Sequence, residues 1–101
     1  MNEAIIVYIK NRRYLEAANL IVKSIYKEKI HTLSQAKRDR ITRAVAKMVK
    51  EKHDSLRRWY ADMNMKPILI AEEVYNDIML ELIPESTSHK TLSEELGDEE
   101  Q

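Results

Sequence analysis

The chain has 101 residues, 34% of them charged and 44% hydrophobic, and its seventeen basic residues balance its seventeen acidic ones. A chain of this length fits one small domain with little room for a deep substrate cleft. The absence of cysteine excludes disulfides and thiolate metal sites, and a single glycine with two prolines argues against a many-stranded fold. The zero net charge hides a division, because residues 1–66 carry +9 and residues 67–101 carry −9.

The first 28 residues predict a short helical hairpin. Asn2 to Lys10 is strongly apolar, and the apolar residues from Tyr14 to Ile25 recur at spacings of three and four. That recurrence is typical of an amphipathic helix, here from about Arg13 to Glu28. The turn of the hairpin would then lie at residues 11–13.

A long amphipathic helix is predicted next, from Gln35 to about Asn64, where the sequence has neither glycine nor proline. Thr32 and Ser34 precede it, and either hydroxyl could cap its first turn. Thirty helical residues would span about 45 Å. A helix of that length would have to kink, project from the domain, or pair with another chain.

Lys66 and Pro67 end the long helix, because proline disfavours helix in the preceding residue and suits the first turn of a new one. A fourth, shorter helix is predicted from there to about Ile83. The composition then changes, and residues 84–101 are expected to form a disordered acidic tail beside a helical domain of residues 1–83. The predicted fold is thus all-α: a helical hairpin, one long helix, one shorter helix and the tail.

The same periodicity predicts a core of apolar residues drawn from all four helices. Each of them lies on the inward face that the helical spacing defines. This predicted core comprises Ile5, Ile9, Leu15, Ala18, Ile21, Ile25, Ile41, Val45, Met48, Leu56, Trp59, Ile68, Val74 and Ile78.

Cations gather on the long helix, where residues 35–58 hold nine Lys/Arg against three Asp/Glu. A helix face that is merely solvated usually mixes the two signs more evenly. A row of cations can follow nucleic-acid phosphates or an acidic protein groove. The predicted binding surface, called the basic face below, consists of Arg40, Arg43, Lys47, Lys50, Arg57 and Arg58.

Three further residues of the long helix are candidates for a specific role. Trp59 continues the apolar face and is assigned to the core, although an aromatic residue beside arginines can also stack on bases. Tyr60 lies off that face and is the candidate partner anchor. Lys52 lies on the apolar face itself and is expected to extend its ammonium to solvent, or else to fix the register of an oligomer.

Enzymatic and membrane functions find little support. The apolar run from Ala4 to Ile9 is too short for a signal-peptide core or a membrane span, so a cytoplasmic protein is expected. His53, Asp54 and Ser55 are consecutive and therefore point in different directions on a helix, which rules out a catalytic triad. No metal-ligand spacing and no glycine-rich phosphate loop is present, so the prediction is no enzyme, no metal and no cofactor.

Two short blocks of the sequence stand out, one where the long helix opens and one across the break before the fourth helix. They consist of Leu33, Gln35, Asp39, Arg40 and Ile41, then Asn64, Met65, Pro67, Ile68, Ile70, Ala71, Glu72 and Val74. Both blocks resemble the theta subunit of bacterial DNA polymerase III and its phage relatives, over less than half of the chain. The second block needs one inserted residue, and the acidic tail replaces an arginine-rich helix of that family. The resemblance implies a non-catalytic helical subunit that binds and steadies a proofreading exonuclease.

The leading functional hypothesis is a small non-enzymatic accessory or regulatory protein of nucleic-acid metabolism, with the basic face as contact surface and the acidic tail as internal competitor. A second hypothesis is a protein-interaction subunit or inhibitor of a larger enzyme, without contact to nucleic acid. A third is a structural homo-oligomer that pairs through the long helix. All three imply a macromolecular partner and no membrane.

Overall fold

The computed structural model describes residues 2–82 of the chain, and this part is built from helices. Four α-helices are joined by one 3₁₀ helix and by turns, in the order that the sequence predicts. Residues 84–101, the predicted tail, lie outside the described residues, as does Ile83. The helices are α1 Asn2–Lys10, α2 Tyr14–Tyr26, α3 Gln35–Trp59 and α4 Pro67–Leu82, with the 3₁₀ helix Lys27–Thr32 between α2 and α3.

The four helices form a closed ring of neighbours. Helix α1 packs against α2 and α4, and α3 packs against the same two helices from the other side. The apolar faces of all four therefore meet in one core, which is the arrangement that buries most apolar surface for short amphipathic helices. Its fully buried large side chains are Ile9, Ile21, Val22, Ile41, Val45, Val49, Val74 and Ile78.

Local sequence signals fix the ends of the helices. The Ser34 hydroxyl accepts a hydrogen bond from the Lys37 amide at 3.1 Å and caps α3, whereas the Thr32 hydroxyl donates to the Lys29 carbonyl within the 3₁₀ helix. Pro67 is the first residue of α4. Of the two predicted caps, Ser34 is the one that caps α3.

Helix α3 is shorter than predicted. It ends at Trp59 after 25 residues, about 37 Å, and residues 60–64 form turns. The turn closes with Asn64 in the left-handed region at φ 54°, a conformation that asparagine tolerates better than most residues. The sequence pattern alone missed this end because no glycine or proline marks it.

Three residues of the predicted core are exposed instead. Leu15 in the first turn of α2 is 56% exposed, Trp59 at the end of α3 is 69% exposed, and Ile68 in the first turn of α4 is 37% exposed. Each lies in a terminal turn, where neighbouring helices cover less of the surface. In α4 the buried face contains Ile70, and Ile68 lies beside it rather than on it.

Candidate nucleic-acid interface on helix α3

Part of the basic face is directed to solvent. Arg43, Lys47 and Arg58 are exposed, and at 100° per residue they lie within about 60° of one another around α3. Arg40 is exposed on the same side and already makes an interaction within the protein. From Arg40 to Arg58 the cations extend along about 27 Å of helix.

Asp54 divides the basic face. Its carboxylate accepts hydrogen bonds from Lys50 Nζ at 3.2 Å and from Arg57 Nη2 at 3.1 Å, one helical turn to either side. These two hydrogen bonds, that of Arg57 first, lower the pKa of the Asp54 carboxyl. Two of the six predicted contact residues therefore have an acidic partner within the same helix, which weakens their attraction for an external anion.

Lys52 has a role that the sequence did not assign. Its ammonium lies 3.8 Å from an Asp77 carboxylate oxygen on α4, and both side chains are 36% exposed. The lysine thus extends to the rim of the core, as expected, and there it meets an acid of the neighbouring helix. Such a part-exposed pair contributes at most about 1 kcal/mol to stability.

The two aromatic residues at the end of α3 have exchanged their predicted environments. Trp59 is largely exposed, whereas Tyr60 is half-buried and donates its hydroxyl hydrogen bond to Glu73 of α4 at 2.8 Å. That hydrogen bond is the main reason why the pKa of Tyr60 is raised. Both residues line an open groove of about 430 Å³ between the end of α3 and α4, together with Arg58.

A buried polar pair connects α2 and α3. His53 is only 3% exposed, and its Nδ1 lies 2.6 Å from the Tyr14 hydroxyl, with the two rings edge to face at 5.6 Å. Burial, followed by the charge of Arg57, lowers the pKa of His53, and burial raises the pKa of Tyr14. Both side chains are therefore neutral near pH 7.

The sequence pattern did not identify this pair. In the sequence His53 forms neither a catalytic triad with Asp54 and Ser55 nor a metal-ligand spacing with the other histidines, and Tyr14 continues the apolar spacing of its helix. The signal was present in the helical spacing, since His53 lies four residues after the buried Val49 and so on the same inward face. Its partner, 39 residues away, could not be read from one sequence.

None of the described helices is both long and apolar enough to cross a membrane. Within residues 2–82, no group of three or more histidine or acidic side chains is arranged to hold a metal ion.

Comparisons with protein-family models, curated proteins and solved structures give no significant match. The resemblance to the theta subunit accordingly stays a prediction. The function has to be argued from the geometry of the surface.

Proposed function

We propose that this chain is a small non-enzymatic accessory or regulatory protein of nucleic-acid metabolism, which binds nucleic acid through the basic face of α3. The observation that carries the proposal is the alignment of Arg43, Lys47 and Arg58, all exposed, along one side of α3. Arg43 and Lys47 are about one helical turn apart, and Arg58 lies about three turns further along. Such a row of cations can contact phosphates along a strand and release their counterions.

The position of Trp59 favours single-stranded nucleic acid as the ligand. An indole that is 69% exposed has an aromatic surface available for stacking, and Arg58 precedes it in the chain. Stacking of a base on an aromatic side chain contributes about 1–3 kcal/mol and requires an unpaired base. Trp59 lies about 100° around the helix axis from Arg58. A strand would therefore have to bend around the end of α3 for its backbone to contact the cations while a base stacks on the indole.

The acidic segment at the end of the chain supplies the regulation in this proposal. Residues 84–101 hold six acidic side chains and one lysine, a net charge of −5 on the same chain as the basic face. A tethered anion competes at a high effective concentration, even when its intrinsic affinity is low. Removal of residues 84–101 should therefore tighten the binding of nucleic acid.

The first experiment measures the affinity for a labelled single strand and for a duplex by fluorescence anisotropy, over a range of salt concentrations. Three or four contacting cations predict a slope of log K against log salt of about −2 to −3 for a single strand. The double variant Arg43→Glu with Lys47→Glu should lower the affinity about tenfold or more at low salt.

A matched control changes the net charge equally but elsewhere. Lys23 on α2 and Lys29 on the 3₁₀ helix are exposed, so Lys23→Glu with Lys29→Glu removes the same charge from another part of the surface. Equal losses in the two double variants would show that only net charge matters. No binding at low salt, with or without residues 84–101, would refute the proposal.

The single tryptophan allows the stacking contact to be observed directly. A base stacked on Trp59 should quench its fluorescence and protect it from a soluble quencher such as iodide. Polyphosphate, which has no bases, should bind the cations without this change. Identical responses to polyphosphate and to the oligonucleotide would remove Trp59 from the proposed surface.

A second candidate function is docking to a protein, and the groove beside Trp59 favours it. Tryptophan, tyrosine and arginine are the residues most enriched at the energetic centres of protein interfaces, and all three line this groove. Here Trp59→Ala should abolish partner capture, whereas Arg43→Glu with Lys47→Glu should leave it unchanged. Capture from a native lysate before and after nuclease treatment separates the two candidates.

The third hypothesis, a structural homo-oligomer that pairs through the long helix, stays a prediction. The apolar face of α3 that was to pair with another copy is covered within the described chain, since Ile41, Val45 and Val49 are at most 1% exposed. Sedimentation at high protein concentration tests whether copies associate through any other surface.

A further inference from the structure

A second cationic site lies away from the outer side of α3. An open cleft of about 330 Å³ is enclosed by the α1–α2 turn, by the part of α3 that carries His53, and by the start of α4. Its volume is at the lower end of the range for small-molecule sites. It could hold a phosphate group or a mononucleotide but is too small for a duplex.

Three cations line the cleft, namely Lys10, Arg12 and Arg57. The acid that pairs with Arg57, Asp54, offsets one of these charges, which leaves a net charge of about +2 around the opening. Arg12 adopts a left-handed backbone conformation with φ 64° at the turn. The tertiary structure thus keeps an arginine in a backbone region that costs about 1–2 kcal/mol.

Arg57 has a hydrogen-bond donor that nothing in the described chain satisfies. Its Nη2 is bound to Asp54, yet its Nε is buried and has no partner among the described residues. A buried N–H without an acceptor costs about 1–3 kcal/mol. Because this Nε is buried, an anion in the cleft could supply the missing acceptor only after a shift of the Arg57 side chain.

In one of its two neutral tautomers, His53 adds a neutral donor to the same cleft. The Tyr14 hydroxyl has one proton, and when it donates that proton to Nδ1 the neutral imidazole ring carries its own proton on Nε2. Asn11 also lines the cleft and offers an amide group. The lining therefore combines full charges with neutral N–H donors, which is the combination that binds phosphate oxygens.

We infer that this cleft binds a phosphate group, either of a small phosphorylated molecule or at the end of a nucleic-acid strand. The cleft shares Arg57 with the basic face, whereas Lys10, Arg12 and His53 do not belong to that face. The inference therefore does not depend on Arg43, Lys47 or Arg58. A planar guanidinium such as those of Arg12 and Arg57 matches the geometry of phosphate oxygens. The number of cations fits a dianion better than a singly charged carboxylate.

The experiment uses the full chain and follows the Arg57 Nε–H and His53 ring signals by NMR during titration with inorganic phosphate. We expect saturable shifts with a Kd of about 1 mM or tighter. Arg12→Gln and Lys10→Gln should each weaken binding about fivefold or more, while Lys23→Gln, at an exposed position on α2 outside both surfaces, should not change it. Spectra of each variant without phosphate verify its fold.

Two further titrations distinguish the source of the phosphate. A mononucleotide that binds tighter than inorganic phosphate points to a small phosphorylated molecule. A dinucleotide that needs its 5′-phosphate and binds tighter than the mononucleotide points to a strand end. Either result supports the cleft, and the inference is separate from the basic face if Arg43→Glu with Lys47→Glu leaves phosphate binding intact.

The inference fails under either of two results. Shifts that stay linear, without saturation, would show only weak ionic contact. Equal weakening by Arg12→Gln and Lys23→Gln would show that phosphate responds to total charge rather than to this cleft.

Discussion

Ile41 and Trp59 lie on the same side of α3, yet one is buried and the other is exposed. They are eighteen residues apart, which is five full turns of an α-helix. Ile41 is 1% exposed within the core, whereas Trp59 is 69% exposed. Helical periodicity therefore predicts the direction of a side chain, but it does not predict how far the neighbouring helices extend.

The contact between Tyr14 and His53 marks the point where α2 stops packing against α3. Tyr14, the first residue of α2, contacts His53, so the last six residues of α3 extend beyond the start of that helix. On the other side, the bond between Tyr60 and Glu73 fastens α4 to the end of α3. Trp59 lies between these two contacts, at a position that neither helix covers.

The largest expected difference in stability is between truncation of Ile41 and truncation of Trp59. Ile41→Ala should destabilise the protein by about 2–5 kcal/mol because it opens a cavity in the core. Trp59→Ala should change the free energy of unfolding by less than about 0.5 kcal/mol, as for most exposed positions. Denaturant unfolding followed by circular dichroism measures both.

Similar losses of stability in Ile41→Ala and Trp59→Ala would contradict the difference in burial between the two residues. A large loss in Trp59→Ala would mean that the indole is buried in solution, and its role in stacking would then be excluded as well. Native Trp59 fluorescence gives an independent check, because an exposed indole is readily quenched by iodide.

The next prediction compares the two hydrogen bonds on either side of Trp59. Tyr14→Phe removes the hydroxyl that contacts His53 Nδ1 and should cost about 1–3 kcal/mol, because a buried polar atom loses its partner. Tyr60→Phe removes a hydroxyl from the more exposed contact with Glu73 and should cost less. A larger loss in Tyr60→Phe would mean that the end of α3, rather than its middle, is held more firmly.

Most of the fold could be predicted because it depends on signals local in sequence. The break before Pro67, the cap at Ser34 and the three-and-four spacing of the apolar residues each follow from backbone chemistry. The end of α3 depends instead on tertiary contacts with α4, and no residue type near Trp59 signals it. That is why the predicted helix was too long.

The candidate site was predicted only in part, because some of its features are local in sequence and others depend on tertiary contacts. Helical spacing alone predicted that Arg43, Lys47 and Arg58 are exposed to solvent, as they are. The pairing of Asp54 with both Lys50 and Arg57 was visible only as an interruption of the row. The cleft brings Lys10 and Arg12 to Arg57, which are more than forty residues away in sequence, so it requires the three-dimensional structure.

A smaller effect is expected at the first end of α3. Ser34→Ala removes the capping hydroxyl and should cost about 1 kcal/mol. Thr32→Ala removes a hydroxyl bonded to a carbonyl in the exposed 3₁₀ helix and should cost about 0.5 kcal/mol. Ser34→Asp, which keeps a capping oxygen, should restore most of the stability, and a failure to do so would argue against the cap.

The smallest expected effect is a gradual loss of stability on mild acidification, and it originates at His53. Burial lowers the pKa of this histidine below its ordinary value of 6.5, so the unfolded chain takes up the proton first. The contribution of the neutral ring is therefore complete above pH 6.5 and declines as the pH falls below that value. The lowered pKa of Asp54 acts separately, because its contribution is lost only as the pH falls below its ordinary 3.8.

Unfolding measured by circular dichroism at pH 7.5 and at pH 5.5 tests this sign. The unmodified chain should be less stable at pH 5.5, and His53→Gln should reduce that difference even if it lowers stability at both values. His31→Gln, at an exposed position, should retain the difference. If His31→Gln removed the pH dependence and His53→Gln kept it, the pair of Tyr14 and His53 would not be the source of that dependence. The division of α3 into a covered part and an uncovered end would then depend on apolar packing alone.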